Sequence, residues 1–192
     1  LPQALQGISH RVEHRPVLFG AMLKHHGQLG PAEIDSKRDW TYRQVLWLAH
    51  QQGLELKLPA AHPFNPLGLL RLAVACDAQG TPNRYVCEQV FRHVWCSGED
   101  AADAQRLAAL SAELQPARDV ASPEVKQALQ SNTEQAIALG LFGVPSFVVD
   151  DKVFWGQDAL PMLRAYLQGD PWFQSPEWTG VAQLPVGVQR KA

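Results

Sequence analysis

Residues 142–167, FGVPSFVVDDKVFWGQDALPMLRAYL, constrain the fold of this chain more than any other stretch. Val144-Pro145 is an X-Pro bond, a pairing that adopts the cis form far more readily than any other. SFVV and KVFW are β-branched and aromatic runs flanking Asp150 and Asp151, which predicts a tight hairpin, although Asp-Asp is a weaker turn signal than Asp-Gly. Gly156 ends the second run. Asp158 is a predicted N-cap for a helix in which Leu160, Leu163 and Leu167 keep helical spacing and Pro161 falls in the first turn.

Upstream, from about residue 36 to 139, the apolar period is helical. DSKRDWTYRQVLWLAHQQG opens on Asp35 or Ser36 and closes on Gly53. NPLGLLRLAVACDAQG has Asn65 as a predicted N-cap and Pro66 at the first position. In TPNRYVCEQVFRHVWC, Val86, Val90 and Val94 form one stripe. EDAADAQRLAALSAEL and SPEVKQALQSNTEQAIALG follow, the second with Ser122 as cap, Pro123 at the first position, and Val125, Leu129, Asn132, Ala136 and Leu139 along one side. Before these helices, LPQALQG reads as the last turns of an amphipathic helix ending at Gly7, and ISHRVEHRPV alternates with period two, the pattern of a strand.

At 192 residues, 46% hydrophobic and 19% charged, the chain can bury a core. A formal charge of −2 and a pI near 6.4 give no footprint for nucleic acid. No apolar run approaches the ~20 residues that span a bilayer, and LPQALQGISH lacks the regions of a signal peptide, so a cytoplasmic location is expected. Cys76, Cys87 and Cys96 are odd in number and never spaced as CxxC, which argues against a disulfide scaffold and a dithiol centre and predicts buried thiols. His10 and His14 share a strand face, but neither they nor the scattered His25, His26, His50, His62 and His93 have metal-ligand company, and no metal is expected.

The order helix, Val-Pro, hairpin, helix resembles the second half of a thioredoxin-like domain. The likeness goes further: RPVLFGAMLKHHGQLGPAEIDSKRDW, HPFNPLGLLRLA, SNTEQAIALGLFGVPSFVV and FWGQD resemble, in order over roughly residues 1–168, the 2-hydroxychromene-2-carboxylate isomerases. These are relatives of kappa-class glutathione transferases and of periplasmic disulfide oxidoreductases. The resemblance implies an α/β, thioredoxin-like fold with an inserted all-helical domain. Residues 1–35 and 121–168 would be its two parts, 36–120 the insertion and 169–192 a C-terminal tail. It also implies a cytoplasmic, homodimeric, glutathione-dependent isomerase acting on a small aromatic substrate in aromatic-compound degradation. In that chemistry the glutathione thiolate adds to the conjugated system, a bond rotates and the thiol leaves. Two alternatives stay open: a kappa-like glutathione transferase that conjugates electrophiles, and a non-catalytic thioredoxin-fold binding protein.

The resemblance also assigns residues. A cis Val144-Pro145 bond turns the Val144 amide and carbonyl toward the cysteinyl backbone of glutathione, like a short added strand. Lys37 stands nine residues after Gln28, as a family lysine follows an asparagine, and would meet a carboxylate of the tripeptide. Gln28 departs from that asparagine by one methylene. Gln157 and Asp158 open a helix, where free amides attract anions and the carboxylate could take the γ-glutamyl ammonium. Phe19, Trp40 and Trp47 are candidates for an aromatic substrate pocket, with core packing the competing expectation. The family's Ser-Pro element, whose hydroxyl favours the thiolate, has no counterpart here. Ser9 is wrongly placed to replace it, and the first strand and the catalytic serine are expected upstream of Leu1. In the tail, Pro171, Pro176 and Pro185 preclude a long helix, and Trp172, Phe173 and Trp178 call for cover.

Overall fold

The computed structural model describes residues 1–188, which form two compact units: Leu1–His10 with the chain from Val144 onward, and Arg11–Gly143.

The Arg11–Gly143 unit is helical. Its elements are α1 (Phe19–His25), α2 (Asp35–Gln51), α3 (Leu67–Ala75), α4 (Arg84–Trp95), α5 (Ala104–Leu114) and α6 (Pro123–Ala138). Several starts follow from side chains that take the first free amides. Asn83 Oδ1 accepts from the Val86 amide at 3.0 Å, Asp103 Oδ1 from Arg106 at 2.9 Å, and Ser122 Oγ from Val125 at 3.3 Å. Ahead of α3, Asn65 Oδ1 accepts from the Leu67 amide at 3.1 Å.

Helix α3 is buried on almost every side and separates two apolar clusters. Leu69 and Leu72 pack with Val94, Ala101 and Leu110, while Val74 and Ala75 pack with Val125 and Leu129 of α6. The stripe on α4 faces inward through buried Val86 and Val94. On α6, Val125, Leu129, Asn132 and Ala136 are buried, whereas Leu139 is exposed past the helix end. Buried Asn132 is satisfied by donating Nδ2 to the Gly80 carbonyl at 3.3 Å.

The other unit is built on the hairpin. Strands β1 (Ser146–Val149) and β2 (Lys152–Trp155) pair antiparallel, Val149 opposite Lys152 and Ser146 opposite Trp155. Asp150 and Asp151 turn the chain at φ 48° and 63°, the left-handed pair of a type I′ turn, whose twist matches the strands. Buried Phe154 packs with Leu5, Ala159, Leu163 of α7 (Leu160–Leu167) and Phe173. The tail packs on its own unit through Phe173, whose ring meets those of Tyr166 and Trp178 edge-on at 5.2 and 5.1 Å, while Trp172, also expected to be covered, stays 49% exposed. Its helix α8 (Pro176–Thr179) is a single turn, started by Ser175 Oγ accepting from the Trp178 amide.

Two sequence expectations fail at the N-terminus. Residues 1–7 form turns rather than a helix; Arg164 Nη1 takes the Ala4 and Gln6 carbonyls, each at 2.9 Å, and Gly7 follows at φ +82°. Residues 8–14 form no strand. Alternation supplies a face but not a partner, and among the described residues the sheet contains only β1 and β2.

Candidate functional site

The Val144–Pro145 bond is cis, and Val144 is 45% exposed beside an exposed Pro145. Val144 has no hydrogen bond to another described residue, so its amide and carbonyl are available at the start of β1. The Pro145 carbonyl accepts from the Gly156 amide at 2.9 Å. That bond places the VPS and WGQD segments side by side at the open end of the hairpin. Gln157 and Asp158 are both exposed there.

Asp158 is not the cap of α7, which begins at Leu160 without a side-chain cap. The reason is local. The Leu160 amide bonds the Gln157 carbonyl at 3.2 Å, and Pro161, the next position a cap would serve, has no N–H. The Asp158 carboxylate instead lies over Gly156, where a Cβ would stand 2.3 Å from Oδ1. Gly156 holds φ +91° at this turn, a conformation that L side chains rarely adopt.

In the Arg11–Gly143 unit, half-buried Phe19 opens α1 and exposed Gln28 lies in the loop after it. Lys37, Trp40 and Trp47 follow one exposed stripe of α2, with the indoles 65% and 58% exposed. The core-packing expectation for the two tryptophans is therefore wrong, because α2 turns this stripe to solvent. Cavities of about 280 Å³ beside Tyr166 and Phe173 and about 360 Å³ beside Arg92 and Arg106 are lined by none of the predicted site residues.

Sequence reasoning passed over two features. Tyr42 Oη lies 2.6 Å from His62 Nδ1 and donates to the His62 carbonyl at 3.2 Å, which suits an imidazole protonated at Nδ1. Phe64 and Trp95 rings stand 5.9 and 5.5 Å from His62, and burial pushes its pKa below the ordinary 6.5. The other feature is Arg71, the lone cation in the apolar run LGLLRLAVA. That oddity was legible.

The three cysteines are free and half-buried rather than fully buried, and burial raises the Cys76 and Cys87 thiols. Among the described residues no cluster of His, Cys, Asp and Glu could hold a metal ion, and no helix is long and apolar enough to cross a membrane.

An exposed cis-proline opening a hairpin whose far end returns to it is a thioredoxin feature, and the model of the DSBA-like thioredoxin domain matches residues 2–168. The chain belongs to the DSBA-like thioredoxin domain family. Within it, the chain is similar to 2-hydroxychromene-2-carboxylate isomerase of Pseudomonas putida, 30% identical over 72% of this chain and 70% of that protein. It is also similar to glutathione S-transferase kappa 2 of Caenorhabditis elegans, 24% identical over 81% of this chain and 78% of the relative. A solved 2-hydroxychromene-2-carboxylate isomerase shares the fold at a TM-score of 0.68, with 21% identity, covering 85% of this chain and 82% of its own.

Proposed function

We propose that this DSBA-like protein is a glutathione-dependent isomerase of the 2-hydroxychromene-2-carboxylate type, serving the breakdown of aromatic compounds. The observation that carries this is the Pro145–Gly156 hydrogen bond, which brings an unpaired Val144 and the uncapped Asp158 carboxylate to one end of the hairpin. The groups present fit the tripeptide. Val144 offers an amide and a carbonyl to a peptide backbone in the manner of strand addition, and Asp158 offers a carboxylate to an ammonium. Bound glutathione supplies the thiol nucleophile of the isomerisation.

The likeness to a kappa-class transferase over most of the chain favours a second activity at the same residues, conjugation of glutathione to electrophiles. One experiment separates the two. Purified protein is given 2-hydroxychromene-2-carboxylate with and without glutathione, and in parallel 1-chloro-2,4-dinitrobenzene with glutathione, each followed by absorbance. Isomerisation that requires glutathione without consuming it supports the isomerase. Stoichiometric consumption with the electrophile alone supports the transferase. Glutathione binding without either reaction leaves a binding protein.

A further inference from the structure

Arg71 occupies a position that folding alone does not explain. It lies on α3, whose neighbouring residues Leu69, Leu72, Ala73, Val74 and Ala75 are all buried. Its Nε is sealed from solvent with no hydrogen-bond partner. The two Nη atoms also lack a partner among the described residues but are not sealed.

The other half-buried cations are all engaged. Arg38 and Arg106 pair with carboxylates, Lys152 lies over the Tyr166 ring, Arg164 holds two carbonyls, and Arg118, whose Nε is likewise sealed and unpartnered, donates Nη2 to the Val74 carbonyl. A buried donor left unsatisfied is costly, and a half-buried guanidinium without an anion more so. An anion on the open Nη ends would neutralise the guanidinium.

The surroundings indicate the ligand. Leu67 and Ala75, one turn either side of Arg71, belong to the cluster with Val125 and Leu129 of α6. Leu18 packs against that cluster, its amide held by Thr133 Oγ1 at 3.0 Å, and half-buried Phe19 comes next in the chain. An apolar flank with a guanidinium whose Nη ends remain open suits a flat apolar body carrying a carboxylate, which the fork can hold with two charge-assisted bonds.

We propose that Arg71 is the substrate anchor, binding the carboxylate of an aromatic acid through its Nη atoms. The identity of the ring rests on the isomerase reading; the anchor itself does not.

The test is calorimetric titration with chromone-2-carboxylate, a stable bicyclic aromatic acid, and with its neutral carboxamide, using wild type, Arg71→Met and Arg71→Lys, with unliganded melting curves. Wild type should prefer the acid by at least about tenfold. Arg71→Met should lose that preference, keep its glutathione affinity, and melt at or above wild type because an orphan donor is gone; Arg71→Lys should keep part of the preference. A wild type without acid preference, an Arg71→Met that retains it, or an Arg71→Met that melts well below wild type with Arg71→Lys equally unable to bind would each overturn the anchor. Acid preference that disappears in Arg71→Met, in a protein that does not isomerise 2-hydroxychromene-2-carboxylate, would sink the isomerase and leave the anchor standing. Turnover by wild type with preference intact in Arg71→Met does the reverse.

Discussion

The Gly156 amide donates to the Pro145 carbonyl at 2.9 Å, closing the open end of a hairpin whose tight end is Asp150-Asp151. Two residues that sequence treats as separate punctuation, a strand-opening proline and a strand-ending glycine, are therefore partners. Whatever binds at Val144 meets the loop that carries Gln157 and Asp158.

Gly156→Ala tests this loop directly. The new Cβ would meet Asp158 Oδ1 at 2.3 Å in a backbone held at φ +91°. We expect a loss of about 1–2 kcal/mol in denaturant unfolding, the cost of a left-handed L-residue, together with weaker glutathione binding as Asp158 is displaced. Unchanged stability would mean that the turn relaxes freely.

Asp158→Ala separates binding from folding. Since no side chain caps α7, the substitution should leave stability within about 0.5 kcal/mol. Loss of a charge-assisted bond to the γ-glutamyl ammonium should weaken glutathione binding by about tenfold or more, read by calorimetry. Equal affinities would remove Asp158 from the site.

Asp151→Gly should stabilise the protein by a few tenths to about 1 kcal/mol, because glycine adopts φ 63° without the Cβ penalty, less its greater freedom when unfolded. Asp150 is left in place because its Oδ2 accepts from the Tyr166 hydroxyl at 2.9 Å. Chemical denaturation measures the gain, and a loss would show that the Asp151 side chain makes its own contribution to the turn.

His62 gives stability a pH dependence. Burial favours the neutral imidazole, so the unfolded chain takes up a proton at a higher pH than the folded one. Stability from this residue is complete above the unfolded value of 6.5 and declines as pH falls through the lower folded value. His62→Gln should flatten that decline on the acid side of pH 6.5 in thermal melts, and an unaltered slope would assign it to other groups.

Much of this was legible because it depends on near neighbours. The caps Asn65 and Ser122 act within three residues, and the hairpin turn lies within four, so composition and spacing suffice. The quoted family motifs carried the thioredoxin-like fold and located the exposed Val144-Pro145 edge. Tertiary structure decided what depends on distant partners. Residues 8–14 had the alternation of a strand but, among the described residues, no strand beside them, because pairing is a property of two segments. Asp158 had the chemistry of a cap, yet the Gln157 carbonyl and the missing N–H of Pro161 left it nothing to cap. The tryptophans of α2 had the composition of a core and the position of a surface. Arg71 was visible as an odd charge in an apolar helix, but that its Nε is buried and unpartnered follows only from how α3 packs between its two clusters, since burial is set by everything that surrounds a residue.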